Sequence, residues 1–530
     1  MEKLREFIAC AMVLVATGCS EKGFGGLHED ESGSDGVAHE MIVLGEKLED
    51  PYSVSNVTKA LASLYPTKAG RVDVTPTDVY VRFLPKSEEE YQRLVTLGFE
   101  LMDHPLDYQI VKDGDYYHSP DLSDEDITWQ YSVVPHGKEL PSDIYSEILD
   151  DCFIPDPSAD TKSEDGIDWE AVEREAFRLT GNEDMLLPQT RGGASKPEGR
   201  ITIVDDDANG GQPFGVSGVK VVCNVFVKYS SAYTDRDGYY SIGKKYSSKP
   251  RYRLRFKNKE GFAIGFNKIL VSASTSALGK GPSTGMDVTI TKASDRKLWC
   301  RSVVNNAAYD YIQRCSSEDM NIARPPKNLR IWLFQKLSAS SAVMMRQGAF
   351  IDRTLIKTFL GEYSALIKLF LPDVTLGLEG RSAYSSIYAE TCHELAHASH
   401  FAQVGKDFWD KYINYIISSY LNSGGKTYGD GTAPSSGYCE VGEMWGYFMQ
   451  NSMYHDRYGG TMPSAGMNYW FHPQIFRYLE ERGLSKSQIF TALQKDVTDI
   501  GALRKKLLEL YPDKSQIIRQ VFDRYSDKNI

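Results

Sequence analysis

The stretch "YAETCHELAHASHF", residues 388–401, decides how the C-terminal half of this chain is read. No Gly or Pro interrupts Ser385 to Val404, so the spacing predicts one continuous helix there. Residues four apart share a helix face, so His393 and His397 point the same way, with Glu394 about 100° around from them. Tyr388, Cys392, Leu395 and Ala402 form an apolar stripe expected to pack inward.

Two imidazoles presented together suit a zinc ion. A carboxylate beside them can take a proton from the attacking water and return it to the leaving amine. His393 and His397 are therefore candidate metal ligands, Glu394 the candidate general base, and one Zn²⁺ per chain the expected cofactor. With ten histidines in 530 residues, a chance H-E-x-x-H is on the order of one in a hundred, so the pattern carries information. The expected reaction is hydrolysis of peptide bonds.

Zinc needs a third protein ligand and an open fourth position. The metzincin extension of the motif fails, because His400 stands where its glycine belongs and Gln403 where its third histidine belongs. His400 lies on the metal-facing side, but three ligands from consecutive turns of one straight helix fit poorly, so it reads as pocket wall or alternative ligand. Further along, "GYCEVGEMWGYFMQ" places Glu440 and Glu443 on one helix face. This resembles the gluzincin family of metallopeptidases, in which a glutamate followed by a bulky-aromatic-small sequence completes the site. Glu443-Met444-Trp445-Gly446 fits that pattern, so the resemblance implies Glu443 as the third ligand. Glu440 is the alternative, or a partner that orients a ligating histidine. An acid four residues after the ligand glutamate, found in some gluzincin subfamilies, is absent: Tyr447 stands there.

Two further expectations belong to a peptidase. "PDVTLGLEG", residues 372–380, is placed as an edge strand to which an extended peptide can add. Tyr428, Tyr454, His455 and His472 follow in the right part of the chain to stabilise a transition-state oxyanion, with nothing to select among them.

The N-terminus reads as an export signal. Lys3 and Arg5 lead into an apolar run from Phe7 to Val15, then Ala16-Thr17-Gly18 precede Cys19. Small residues before a cysteine resemble the lipobox of bacterial lipoproteins, which implies a signal over 1–19 and acylation of Cys19. Residues 20–40 are rich in Gly, Ser and acids and read as a flexible tether. Cys152, Cys223, Cys300, Cys315, Cys392 and Cys439 show no spacing typical of a disulfide framework. A net charge of −12 and the lack of a basic run argue against nucleic acid as partner.

Between tether and helix, the composition divides the chain. Residues 41–190 alternate helix and strand signals and read as a small N-terminal α+β domain: helix at 56–65, strand at 78–85, helix opened by Ser87, and helix at 169–181. Residues 198–295 hold short strands, among them "RITIVD", "VKVVCNVFVKY", "YYSIG" and "RYRLRFKN", as in a β-sandwich. "GRITIVDDDANGGQPFGVSGVKVVC" followed by "TDRDGYYSIG" is similar to the carboxypeptidase regulatory-like, transthyretin-like domain. Asp205, Asp206, Asp207, Asp235 and Asp237 read as solvated turn carboxylates, too few at loop spacing for calcium. Residues 296–530 carry aromatic-rich helical patterns, including one over 344–370, and form the expected zincin-like domain. The fold class expected is thus multidomain α+β.

The order of export signal, N-terminal domain, regulatory-like domain and zincin resembles lipoproteins of Bacteroidetes type. That resemblance implies lipid anchoring in a bacterial cell envelope, at the outer membrane or cell surface. The aromatic-rich C-terminal half suits a peptide or glycoprotein substrate. A binding lipoprotein with an inactive zincin-like domain, recognising glycan or protein, is the competing reading.

Overall fold

The computed structural model describes residues 41–67, 72–123, 126–155, 166–188, 193–266, 272–335, 337, 339–349, 370–422, 426, 428–460, 466 and 468–526. The export signal, the tether, Cys19 and most of the helical pattern over 344–370 lie outside these residues. Among the described residues the fold is mixed α+β, with eleven α-helices, several sheets and a helical C-terminal region.

The N-terminal region runs β1 (Val43–Lys47), α1 (Val54–Leu64), β2 (Asp78–Leu84), α2 (Glu88–Thr96), β3 (Tyr108–Lys112), β4 (Gln130–Pro135), β5 (Tyr145–Cys152) and α3 (Trp169–Leu179). The side chains of Ser53, Ser87 and Asp168 accept from backbone N–H groups of the first turn and cap α1, α2 and α3. β2 is the centre of an antiparallel sheet ordered β4-β2-β5, and β1 pairs with β3.

The middle region contributes β6 (Glu198–Ile203), β7 (Phe214–Gly215), β8 (Lys220–Val225), β9 (Lys228–Tyr233), β10 (Tyr239–Ser241), β11 (Arg251–Arg255), β12 (Ala263–Phe266), β13 (Thr275–Lys280) and β14 (Val288–Ile290). One sheet is ordered β10-β6-β14 with β7 on β6, the other β13-β11-β8-β9. Ile201, Ile203, Val221, Cys223, Tyr252 and Leu254 from both sheets enter one buried cluster. "VKVVCNVFVKY" is two strands, not one. β8 and β9 form a hairpin whose connecting residues are Phe226 and Val227, with Phe226 at φ 47. Both are buried, and the Phe226 ring meets that of Phe177 edge-on with centroids 6.1 Å apart. Apolar turn residues carry no Asn-Gly signal, and tertiary burial supplies what the sequence pattern lacks.

The C-terminal region runs α4 (Arg296–Arg314), β15 (Arg330–Phe334), β16 (Val374–Gly377), α5 (Tyr384–Val404), α6 (Lys406–Asn422), α7 (Ser436–Tyr458), α8 (Gln474–Glu481), α9 (Lys486–Ala492), α10 (Ile500–Leu510) and α11 (Ser515–Ser526). Met344 to Gly348 form turns rather than the start of a helix, with Met344 at φ 56. β12 leaves the middle-region sheets and pairs in parallel with β15, which pairs in parallel with β16. The largest buried cluster is continuous across these regions, from Tyr52 and Phe177 through Leu254 and Val303 to Leu395 and Phe522. No helix among the described residues is long and apolar enough to cross a membrane.

The edge expected at 372–380 agrees with the strand order, in which β16 is the terminal strand of the sheet β12-β15-β16. β16 has β15 on one side; on the other, Ser341 and Thr375 exchange backbone hydrogen bonds of 2.9 and 2.8 Å. Gly377 permits this: a Cβ there would lie 2.4 Å from the carbonyl oxygen of Leu337 and 2.5 Å from that of Ala339. β16 is thus an edge strand whose outer side is met by Leu337, Ala339 and Ser341.

Of the three consecutive aspartates, Asp206 and Asp207 are exposed as expected, and the expectation is corrected for Asp205. Asp205 is fully buried and accepts from Arg457 Nη2 at 2.7 Å and from the Tyr458 hydroxyl at 3.1 Å. Asp207 accepts from the backbone N–H of Ser385. This one turn of the middle region therefore touches the start of α5 and the end of α7.

Candidate metal centre

α5 spans the stretch in which a helix was expected and ends at Gly405, whose φ of 81° breaks it. Seventeen of its 21 residues are buried, so it is a core helix rather than a surface helix with one apolar stripe. Tyr388, Cys392 and Leu395 pack inward as expected, whereas Ala402 is exposed. α7 lies alongside it, and Glu443, Gly446, Tyr447 and Gln450 repeat at helical spacing on the face toward α5. Gly446 allows the approach: a Cβ there would stand 2.8 Å from His393 Nε2 and 2.9 Å from His397 Cε1.

His393, His397 and Glu443 converge. The two Nε2 atoms are 3.0 Å apart, and Glu443 Oε2 lies 3.5 Å from the first and 3.7 Å from the second. Among the described residues this is the group of His, Cys, Asp or Glu side chains offering three ligand atoms within 4.8 Å of one another. Donors held about 2.1 Å from one tetrahedral ion lie about 3.4 Å apart. The donor set and its spacing fit, and the group can hold a metal ion.

The electrostatics demand positive charge at that point. Burial works against a charged His393, but its hydrogen bond to Glu443 and the charges of Glu394 and Glu443 hold its pKa up at about 9. Burial also opposes an ionised Glu443, yet His397 and His393 hold its carboxyl down at about 2. His397 is held below the ordinary histidine range by burial. A buried carboxylate facing two imidazoles binds one cation, proton or metal, and metal binding there releases a proton.

Partners on neighbouring helices orient the donors. Tyr412 of α6 donates its hydroxyl to Glu443 Oε1 at 2.5 Å, which leaves Oε2 toward the histidines. Gln450 Oε1 lies 3.2 Å from His393 Nδ1. Glu394 is fully buried, and its charge acts on His393. Trp409 and Tyr412 stand against His397, and Tyr447 meets His393 edge-on at 4.6 Å. His393, Glu394, His397 and Glu443 are each 0% exposed.

Other residues singled out in the sequence do different work. His400 is outside the converging group; its ring sits against Phe408 and Trp409, and burial followed by the charge of His397 pushes its pKa down to about 3. Glu440 accepts from the backbone N–H of Ile500 at 3.1 Å and so holds the N-terminus of α10. Of the oxyanion candidates, Tyr428 has its hydroxyl 3.4 Å from that of Tyr447, the residue whose ring meets His393. His455 instead faces the Gly460 carbonyl, and Tyr454 packs on Tyr458. Cys152, Cys223, Cys300, Cys315, Cys392 and Cys439 are buried free thiols.

Tyr412 and Gln450 were not found from the sequence. Gln450 had a signal, since it lies seven residues after Glu443 on the same helix face. Tyr412 had none, because its role depends on how α6 packs. No protein-family model matches the chain, and no curated protein matches it.

Proposed function

We propose that this chain is an exported, lipid-anchored zinc metallopeptidase, with Glu394 as its general base. The observation that carries the proposal is the convergence of His393, His397 and Glu443 within one enclosure that also holds Glu394. A bound zinc ion supplies Lewis-acid polarisation of the scissile carbonyl and lowers the pKa of water. The histidines offer Nε2 to it, and Glu443 offers Oε2 while Tyr412 restrains Oε1. Glu394 takes the proton of the attacking water and passes it to the leaving amine. The dry surroundings strengthen each of these interactions.

In this reading residues 41–190 form an N-terminal α+β domain, 198–295 a carboxypeptidase regulatory-like β-sandwich and 296–530 a zincin-like domain of gluzincin type. Cys19 carries lipid and holds the protein in a bacterial cell envelope, and the substrate is a peptide or glycoprotein.

The test is zinc content per purified chain. About one zinc, lost in His393→Ala, supports the site; no zinc even after titration with the metal overturns it. Glu394→Gln should then retain zinc while cleavage of a peptide library falls by roughly 10²–10⁴-fold.

The enclosure favours a second reading. Because the four central side chains have no exposed surface, the domain can serve as an inactive zincin-like scaffold of a binding lipoprotein. A zinc-loaded wild type that cleaves nothing across unfolded proteins and peptide libraries would favour it.

A further inference from the structure

His393 is held from behind as well as from the front. Its Nδ1 lies 3.2 Å from Oε1 of Gln450, and both residues are buried. The amide oxygen can only accept, so Nδ1 carries an N–H, and Nε2, which faces His397 and Glu443, is the ring nitrogen left to give up its proton in favour of a metal. One helix, α7, thus carries both the carboxylate that faces Nε2 and the amide that faces Nδ1.

The partner is neutral. Ligating histidines are often backed by a carboxylate, which makes the ring a stronger donor. This enclosure already buries Glu390, Glu394 and Glu443. A further carboxylate against His393 would add buried negative charge, which is expensive without a matching cation. An amide fixes ring orientation and tautomer without that charge.

We propose that Gln450 is a positioning residue of the metal centre, setting metal affinity by orienting His393 through a neutral acceptor. The inference rests on the metal-binding reading above. It concerns the strength with which the site holds its ion, so it is separable from whether the enzyme cleaves peptides.

Zinc affinity of the full chain, measured by competition with a chromophoric chelator, tests it in wild type, Gln450→Met and Gln450→Glu. Methionine keeps the shape and removes the acceptor; glutamate keeps the acceptor. The Met variant should bind zinc 10–100-fold more weakly, while the Glu variant binds as tightly as wild type or more so. The visible spectrum of the cobalt-loaded protein should change in the Met variant, reporting a moved ligand rather than a loosened fold. Equal affinity of wild type and Gln450→Met overturns the proposal. Equal losses in both variants overturn it too, since packing alone would then account for them. A wild type that binds no metal overturns the metal-binding reading itself, a result distinct from either.

Discussion

Asp207 accepts a 2.9 Å hydrogen bond from the backbone N–H of Ser385, eight residues before His393. α5 begins at Tyr384 with Ala383 as its own N-cap, and Ala383 has no side chain that can cap. The first N–H groups of a helix need acceptors, and a carboxylate there also meets the positive end of the helix dipole. A turn about 180 residues earlier in sequence thus supplies the cap that the helix lacks.

Asp207→Ala should therefore lower stability by about 1 kcal/mol, the usual worth of an N-cap. Asp207→Asn keeps an acceptor oxygen and should recover most of the loss. Thermal unfolding of the two variants against wild type checks this. Equal midpoints for wild type and Asp207→Ala would show that the contact carries no weight.

The other half of the same turn should matter more. Asp205 is buried against Arg457, whose guanidinium also lies over the rings of Tyr384, Tyr388 and Tyr458. Arg457→Met leaves Asp205 buried without its cation, a change that destabilises by roughly 3–5 kcal/mol. Adding Asp205→Asn removes the stranded charge and should restore part of the midpoint. If the double variant is no more stable than the single one, the charge is not the cause.

These contacts also show what the sequence could and could not reveal. The helix of His393 and His397 was legible because a stretch free of Gly and Pro and the four-residue histidine spacing are local signals, and Glu443 because Glu-Met-Trp-Gly is a local pattern. Asp205 looked like any turn aspartate; its burial depends on Arg457, some 250 residues away. The edge position expected for 372–380 matches the strand order, but the contact on its outer side was hidden for a related reason. Which segment meets a sheet edge is a tertiary matter, and Ser341 bridges Thr375 from 34 residues away. Phe226 and Val227 hid a hairpin turn because neighbours from the N-terminal region, not turn-forming residues, stabilise it.

Gly446 gives a sharper test of the candidate metal site than any substitution of His393, His397 or Glu443. A methyl group there would stand 2.8–2.9 Å from atoms of both imidazole rings, closer than side-chain carbons approach without displacement. Gly446→Ala should leave all three ligands in the chain yet weaken zinc binding at least about tenfold, by pushing the rings off the shared point. Zinc affinity unchanged in Gly446→Ala would mean that the rings do not meet the metal in this arrangement.

Asp50 predicts a pH dependence far from the metal. It is buried; Oδ1 accepts from the Tyr52 N–H at 2.9 Å, and Oδ2 has no hydrogen-bond partner. Burial, with smaller contributions from the charges of Asp107 and Asp150, pushes its pKa from 3.8 up to about 8. Between those values the folded chain holds a proton that the unfolded chain has released, so stability falls as pH rises through that window. Above pH 8 both states are ionised and the loss stops growing. Asp50→Asn mimics the protonated form and removes this dependence. Its unfolding midpoint should match that of wild type near pH 4, exceed it increasingly up to about pH 8 and keep a constant lead above that. A constant difference between the two proteins across that range would mean that Asp50 ionises in the fold as readily as in water, leaving its buried oxygen to be satisfied by a cation.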